Sequence, residues 1–215
     1  MTTRKRTLII IPCSARKRPG GVSGLSWSSR KSVVDRLSPE GGGRLLNCRR
    51  QLGERLGYPE GEYLGGPGDV LVPLMRAYAR YDGNLYRKLD ESVWSHLASS
   101  DHMEVLIVSA VYGLLTPWEA ICEYNVKMDK AITPRVSLVR WWTGQGLGSL
   151  LIEYVRRSGA SVAHDFLSGA YTSISDELLS CLGDSVTVQR HTYPGLGIAA
   201  DFQRGQDVRD LLVQE

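Results

Sequence analysis

Two short aliphatic runs limit this fold more than any other feature: Thr7-Leu-Ile-Ile-Ile11, closed by Pro12, and Glu104-Val-Leu-Ile-Val-Ser109. Continuous apolar runs of this length, bounded by breakers and rich in β-branched residues, predict strands covered on both faces. Ser161 to Leu167 and Val186 to Thr192 supply two further strands. Helices are expected over Arg44 to Leu56, Val72 to Ala79, Tyr86 to Ser99, Ser137 to Thr143, Gly148 to Arg157, Ile174 to Leu182 and Asp207 to Val213. Ser38-Pro-Glu-Gly-Gly-Gly43 and Gly65-Gly-Pro-Gly68 read as breaks. Strands alternating with helices predict an α/β fold with a central mixed or largely parallel sheet flanked by helices. With no internal repeat and no sharp change of composition, residues 1–215 read as one domain. Functional groups are expected at the strand ends, where loops converge.

The totals exclude several classes. Hydrophobic residues make up 42% and charged residues 23%, an ordinary globular balance. No apolar stretch approaches bilayer length, and the run Leu8 to Ile11 after the basic N-terminus is too short for a signal peptide. The expectation is a cytoplasmic protein with no membrane partner. Cys13, Cys48, Cys122 and Cys181 are scattered without CxxC spacing, so neither structural zinc nor a disulfide framework is expected. Gly144-Gln-Gly-Leu-Gly148 lacks the preceding strand that a dinucleotide loop needs. His96, His102 and His191 show no metal-site spacing, and His164 is expected as a hydrogen-bonded core residue. No cofactor and no metal are expected.

Charge is distributed unevenly. Residues 1–50 hold twelve lysines and arginines against only Asp35 and Glu40, whereas the remainder carries 14 basic and 21 acidic side chains. A concentrated positive region beside an acidic body suits a polyanion, because each phosphate contact releases condensed counterions. A solvated basic loop over about 14–31 is the plainer alternative. Arg16, Arg18, Arg30 and Lys31 are the candidates for nucleic-acid backbone contacts.

Three strand-end motifs carry chemistry. In Pro12-Cys13-Ser14-Ala15-Arg16-Lys17-Arg18, a cysteine leaves a strand beside three cations, which favour the attacking thiolate; simple packing of Cys13 is the alternative. In Tyr81-Asp82-Gly83-Asn84-Leu85-Tyr86, Asp82 is either a base or heterocycle reader, or an Asx turn before the next helix. In Ser109-Ala-Val-Tyr112-Gly-Leu-Leu-Thr-Pro-Trp118, followed by Glu123-Tyr124, Tyr112 and Trp118 are either base-stacking or core residues. Ser168-Gly-Ala-Tyr171 follows a strand and is placed to join the same cleft.

Taken together, the order and spacing of these motifs resemble the YaaA family. The resemblance runs through Pro12 to Lys17, Ala79 to Tyr86, and Ser109 to Pro117, where the family carries a Ser-x-x-Tyr-Gly-Leu-Leu-x-Pro string. It continues through Glu123-Tyr124 with Lys127-Met128, then Ser168 with Tyr171, and covers roughly residues 7 to 213. Cys13 and Ser14 depart from the usual family start. The Pro-Cys-Ser-x-x-Lys form is similar to a motif of archaeosine synthase, which acts on the nitrile of 7-cyano-7-deazaguanine in tRNA. A YaaA-like protein also belongs to a bacterial system that places 7-deazaguanines in DNA, where it is associated with converting the cyano base to the carboxamide.

What the resemblance implies is an enzyme that hydrates a nitrile on a DNA base through a Cys13 thioimidate. Lys17, Asp82 and Tyr112 are then candidate acids, and Glu123 a candidate water activator. Ser14, Asn84, Tyr86, Ser109, Trp118, Tyr124, Ser168 and Tyr171 would line the base pocket. The expected partners are duplex DNA with a flipped modified base, and other proteins of a DNA-modification system. Two alternatives stand beside it: a non-catalytic DNA-binding stress-response protein, and a base-excising glycosylase using Asp82 or Glu123.

Overall fold

The computed structural model describes residues 5–23, 25, 32–58, 72–182 and 185–214. The first apolar run forms β1 (Thr7–Pro12), with Leu8, Ile9, Ile10 and Ile11 fully buried. The second forms β3 (Met103–Ser109), which pairs in parallel with β1 so that Ile9 lies opposite Val105 and Ile11 opposite Ile107. On the other side of β1 lies β8 (Val162–Asp165), also parallel, and beyond it β9 (Thr187–Arg190). β4 (Gly113–Leu115) returns antiparallel along β3, giving the order β4-β3-β1-β8-β9. The expected α/β class and largely parallel sheet are therefore present, with β1 at the centre because it is the strand buried on both faces.

Helices flank the sheet. α1 (Val33–Arg36), α2 (Pro39–Leu56) and α6 (Leu147–Ser158) pack on one another, and α6 also packs on α7 (Thr172–Leu182). α4 (Glu91–Ser99) packs on the closing helix α8 (Ala200–Val213). Small elements complete the chain: β2 (Met75–Arg76) pairs with β5 (Ala120–Ile121), α3 is Ala77–Arg80, β6 (Ala131–Thr133) pairs with β7 (Val136–Ser137), and α5 is Leu138–Gly144. Among the described residues no helix is long and apolar enough to cross a membrane.

Four expectations about elements need correction. Ser38–Gly43 is no break but the start of α2: Ser38 caps Gly41 N–H at 3.1 Å and Pro39 takes the first turn. Two of its glycines are closely packed, since a Cβ on Gly41 would lie 2.5 Å from Glu153 and one on Gly42 3.0 Å from Val34. The expected Val72–Ala79 helix shrinks to α3, because Leu74 exchanges backbone hydrogen bonds with Val22 at 2.8 and 3.1 Å instead. The Tyr86–Ser99 helix divides into a 3₁₀ turn, Tyr86–Lys88, and α4, where Asp90 accepts from Ser92 and Val93 N–H as the N-cap. α8 begins at Ala200, seven residues before the expected start, and passes through Gly205, whose lost Cβ would meet Leu85 O at 2.6 Å. Gly65–Gly68 lies outside the described residues.

Candidate active site

Because β1, β3 and β8 are parallel, their C-terminal ends lie on one edge, and the motif residues leave the sheet together there. Cys13 follows β1 and is fixed by its N–H to Val108 O at 2.9 Å. Its Sγ lies 3.2 Å from the Tyr171 hydroxyl, supplied by the turn after β8. Burial first, then the Cys13 thiol beside it, push the Tyr171 hydroxyl well above its usual range, so it stays protonated and able to donate. Ser14 is buried and caps Arg16 N–H at 3.1 Å, lying so close beneath Gly83 that a Cβ there would sit 2.4 Å from its Oγ.

Lys17 reaches back over the Tyr124 ring, with Nζ 3.6 Å from the ring centroid. Burial lowers its pKa from the usual 10.5 to about 8, although the charges of Cys13, Cys122 and Glu123 pull it partway back. Behind it stands a hydroxyl network: Tyr81 and Tyr124 share a 2.7 Å hydrogen bond, and both lie within hydrogen-bond reach of Ser109 Oγ, at 3.3 and 3.0 Å. Burial holds both phenols well above their usual range. Tyr86, also buried, donates to Pro12 O at 2.9 Å and so secures the strand end that presents Cys13.

Other candidates take different places. Asp82 is gripped by three guanidinium groups, Arg16 at 3.0 Å, Arg18 at 3.6 Å and Arg87 at 3.1 Å. The Arg87 hydrogen bond, with the charges of Arg87, Arg16 and Arg18, holds its carboxyl below the usual range against the opposing effect of burial. It is an ionised anchor for the basic loop, the opposite of a proton donor. Tyr112 is fully buried one ring behind Tyr124, and its hydroxyl accepts from Cys122 N–H at 3.0 Å and donates to Cys122 Sγ at 3.2 Å. Glu123 is 57% exposed, 4.0 Å from Arg80, and near enough to act on Lys17.

Trp118 is not in the Cys13 pocket. Its ring packs on Tyr78 and Trp94, and it lines a separate cavity with Thr7, Leu8 and Met103, at the opposite ends of β1 and β3. The Thr116–Pro117 turn after β4 carries it there, where the Tyr78 and Trp94 rings pack against it. Arg30 and Lys31 lie outside the described residues. His164 is hydrogen-bonded to His191 at 3.0 Å, and His191 stacks on Phe166 with centroids 4.1 Å apart.

Three residues important to this edge were not singled out by the sequence. Arg80 is fully buried in α3, donates to Arg18 O at 2.6 Å, and thereby holds the basic loop in place. Arg204 in α8 donates to Ser168 Oγ at 2.6 Å and pairs with Asp201. Asp201 joins Cys13, Ser14, Arg16, Asn84 and Tyr86 around a cavity of about 260 Å³. A side chain that acquires its role through a contact dozens of residues away leaves no pattern at its own position.

A family model described as peroxide stress protein YaaA matches residues 34–212, most of the chain, while the Cys13 loop precedes the matched region. No curated protein matches the chain.

Proposed function

The chain belongs to the peroxide stress protein YaaA family, and from that premise we propose that it hydrates the nitrile of 7-cyano-7-deazaguanine in DNA through a covalent Cys13 thioimidate. The observation that carries this reading is the contact of the Cys13 sulfur with the protonated Tyr171 hydroxyl at 3.2 Å, and it is supported by Lys17, which is near enough to feel the charge of Cys13 and whose pKa of about 8 suits proton exchange near neutrality. The resemblance of the Pro12–Lys17 loop to a nitrile-handling motif supplies the electrophile.

The steps balance without a cofactor. Lys17 accepts the Cys13 proton, and the sulfur attacks the nitrile carbon. One π pair of the C≡N bond moves to nitrogen, which takes a proton from Lys17 with the Tyr171 hydroxyl donating a hydrogen bond, leaving a C(=NH)–S thioimidate. Water then adds to that carbon, its surplus proton passing through Lys17 to nitrogen. The hydroxyl then gives up its remaining proton as the C–S bond breaks, the sulfur leaves with its electron pair and takes up that proton through Lys17, and the carboxamide remains. The net change is one water gained. Arg16 and Arg18, 65% and 59% exposed despite their contacts with Asp82, are available to phosphates, and reaching Cys13 requires the base to leave the duplex stack.

Intact-protein mass spectrometry after incubation with 7-cyano-7-deaza-2′-deoxyguanosine tests the covalent step. Acid-quenched wild type is expected to carry an adduct equal to the whole nucleoside, mapped to Cys13 and lost in Cys13→Ala. An adduct on another cysteine, or one unchanged in Cys13→Ala, contradicts the proposal.

A further inference from the structure

On the reading that this cavity receives a cyano-deazaguanine, we infer that Asp201 is its specificity-determining residue, accepting hydrogen bonds from the N1–H and 2-amino group, with Asn84 at the neighbouring carbonyl. The cavity is smaller than the about 300–1,000 Å³ of pockets for drug-sized ligands, which suits a single heterocycle. Its wall combines the nucleophile, Cys13, with two polar side chains whose bonding capacity is open: Asn84 and Asp201. Asp201 Oδ1 is taken by Arg204, whereas Oδ2 has no hydrogen-bond partner among the described residues, and the same holds for the Asn84 carboxamide.

Arg204 orients Asp201, whose carboxylate is 58% exposed at the cavity rim. Arg204 is itself buried, at 4% exposure, and its Nε has no hydrogen-bond partner among the described residues. Its two terminal nitrogens clamp Asp201 and Ser168, and its guanidinium lies 5.3 Å from the Tyr193 ring centroid. α8 packs closely beside this clamp: a Cβ on Gly205 would lie 2.6 Å from the Leu85 carbonyl oxygen. The carboxylate is thus held at the cavity wall by a second set of contacts, as recognition groups require.

The chemistry of the ligand rim matches this wall. On a 7-cyano-7-deazaguanine the 2-amino group, N1–H, the O6 carbonyl and the nitrile follow one another around the ring. The wall offers a partner for each of these groups: an acceptor at Asp201, a donor at Asn84 and the thiol of Cys13. An adenine-type edge instead presents a lone pair at N1, which a carboxylate repels. An analogue lacking the 2-amino group forfeits one charge-assisted hydrogen bond to the carboxylate, and one with a lone pair at N1 sets that lone pair against it.

The test measures binding apart from turnover. In a Cys13→Ala background, calorimetry compares 7-cyano-7-deaza-2′-deoxyguanosine with the matching 2′-deoxyinosine and 2′-deoxyadenosine analogues. The guanosine form is expected to bind at least about tenfold more tightly than either. Adding Asp201→Asn, or Asp201→Ser as a second variant of this exposed side chain, is expected to shrink that preference to within about threefold. Equal binding of the three analogues, no binding of any, or a preference that survives both substitutions overturns the inference. Turnover by the Cys13-containing protein is scored separately. Asp201-dependent preference without hydration would leave this inference standing and remove the proposed reaction, while hydration without that preference would do the reverse.

Discussion

At the scale of single residues, the site depends on one lysine being kept half-dry. Moving the Lys17 ammonium out of water favours its neutral form, and the value of about 8 says that this outweighs the pull of Cys13, Cys122 and Glu123. The linkage has a definite sign. Between about 8 and 10.5 the unfolded chain binds a proton at Lys17 that the folded protein has released, so stability rises with pH across that window and the contribution is lost as pH falls through about 8. Lys17→Met is expected to flatten this rise in urea-denaturation free energies measured between pH 7.5 and 10.5; an unchanged slope would contradict the burial argument. Lys17→Arg, which cannot lose its proton in this range, is expected to lower the rate of nitrile hydration by about 100-fold or more, in line with the loss of a general acid–base catalyst. A rate within a few-fold of wild type would remove Lys17 from the proposed proton path. Cys13, Lys17, Ser168 and Tyr171 were legible in the sequence because each follows a recognisable strand or sits in a short motif. Asp201 and Arg204 were not, because their roles come from contacts with Ser168 and the Cys13 cavity that only the fold creates.

At the scale of elements, the turn after β3 is held by a charge buried beneath it. Arg49 of α2 donates to Tyr112 O at 2.9 Å and Leu114 O at 2.6 Å, and pairs with Glu119 at 3.2 Å. Glu119 in turn accepts from Thr116 N–H at 2.8 Å and Val33 N–H at 3.2 Å. Both side chains are 1% exposed, so removing one leaves the other charged and dry. Arg49→Met should therefore cost about 3–5 kcal/mol, read as a lower urea midpoint; a loss below about 1 kcal/mol would show that the pair is dispensable. Gly113 belongs to the same turn. Its φ of 69° is a glycine conformation, and a Cβ would lie 2.8 Å from the Trp142 ring. Gly113→Ala is expected to destabilise by about 1–3 kcal/mol through strain and crowding combined, checked by thermal unfolding. β1, β3 and β8 could be read from composition, since an aliphatic run has few alternatives. The start of α2 could not, because Ser-Pro-Glu followed by three glycines is as good a turn as an N-terminus until Glu153 and Val34 are seen packed against Gly41 and Gly42. Arg49 and Glu119, separated by 70 residues, carried no signal at all.

For the whole molecule, the asymmetry of charge and the parallel sheet point to the same edge. The sheet gathers the ends of β1, β3 and β8, and the basic segment leaves from the first of them. Arg16, Arg18 and Arg87 converge on Asp82, so this edge keeps an excess of positive charge after pairing. DNA affinity measured by fluorescence anisotropy is expected to fall steeply with salt, and Arg16→Ala to reduce the slope of log K against log salt by about one. An unchanged slope would place the phosphate contacts elsewhere. The remaining question is chemical, and mass spectrometry answers it most directly. DNA carrying 7-cyano-7-deazaguanine is incubated with wild type and with Cys13→Ala, and both nucleosides and released bases are analysed. The modified nucleoside is expected to gain one water with wild type and to stay unchanged with Cys13→Ala. An unchanged nucleoside with wild type, free base in solution, or hydration that persists without Cys13 would contradict the proposed reaction.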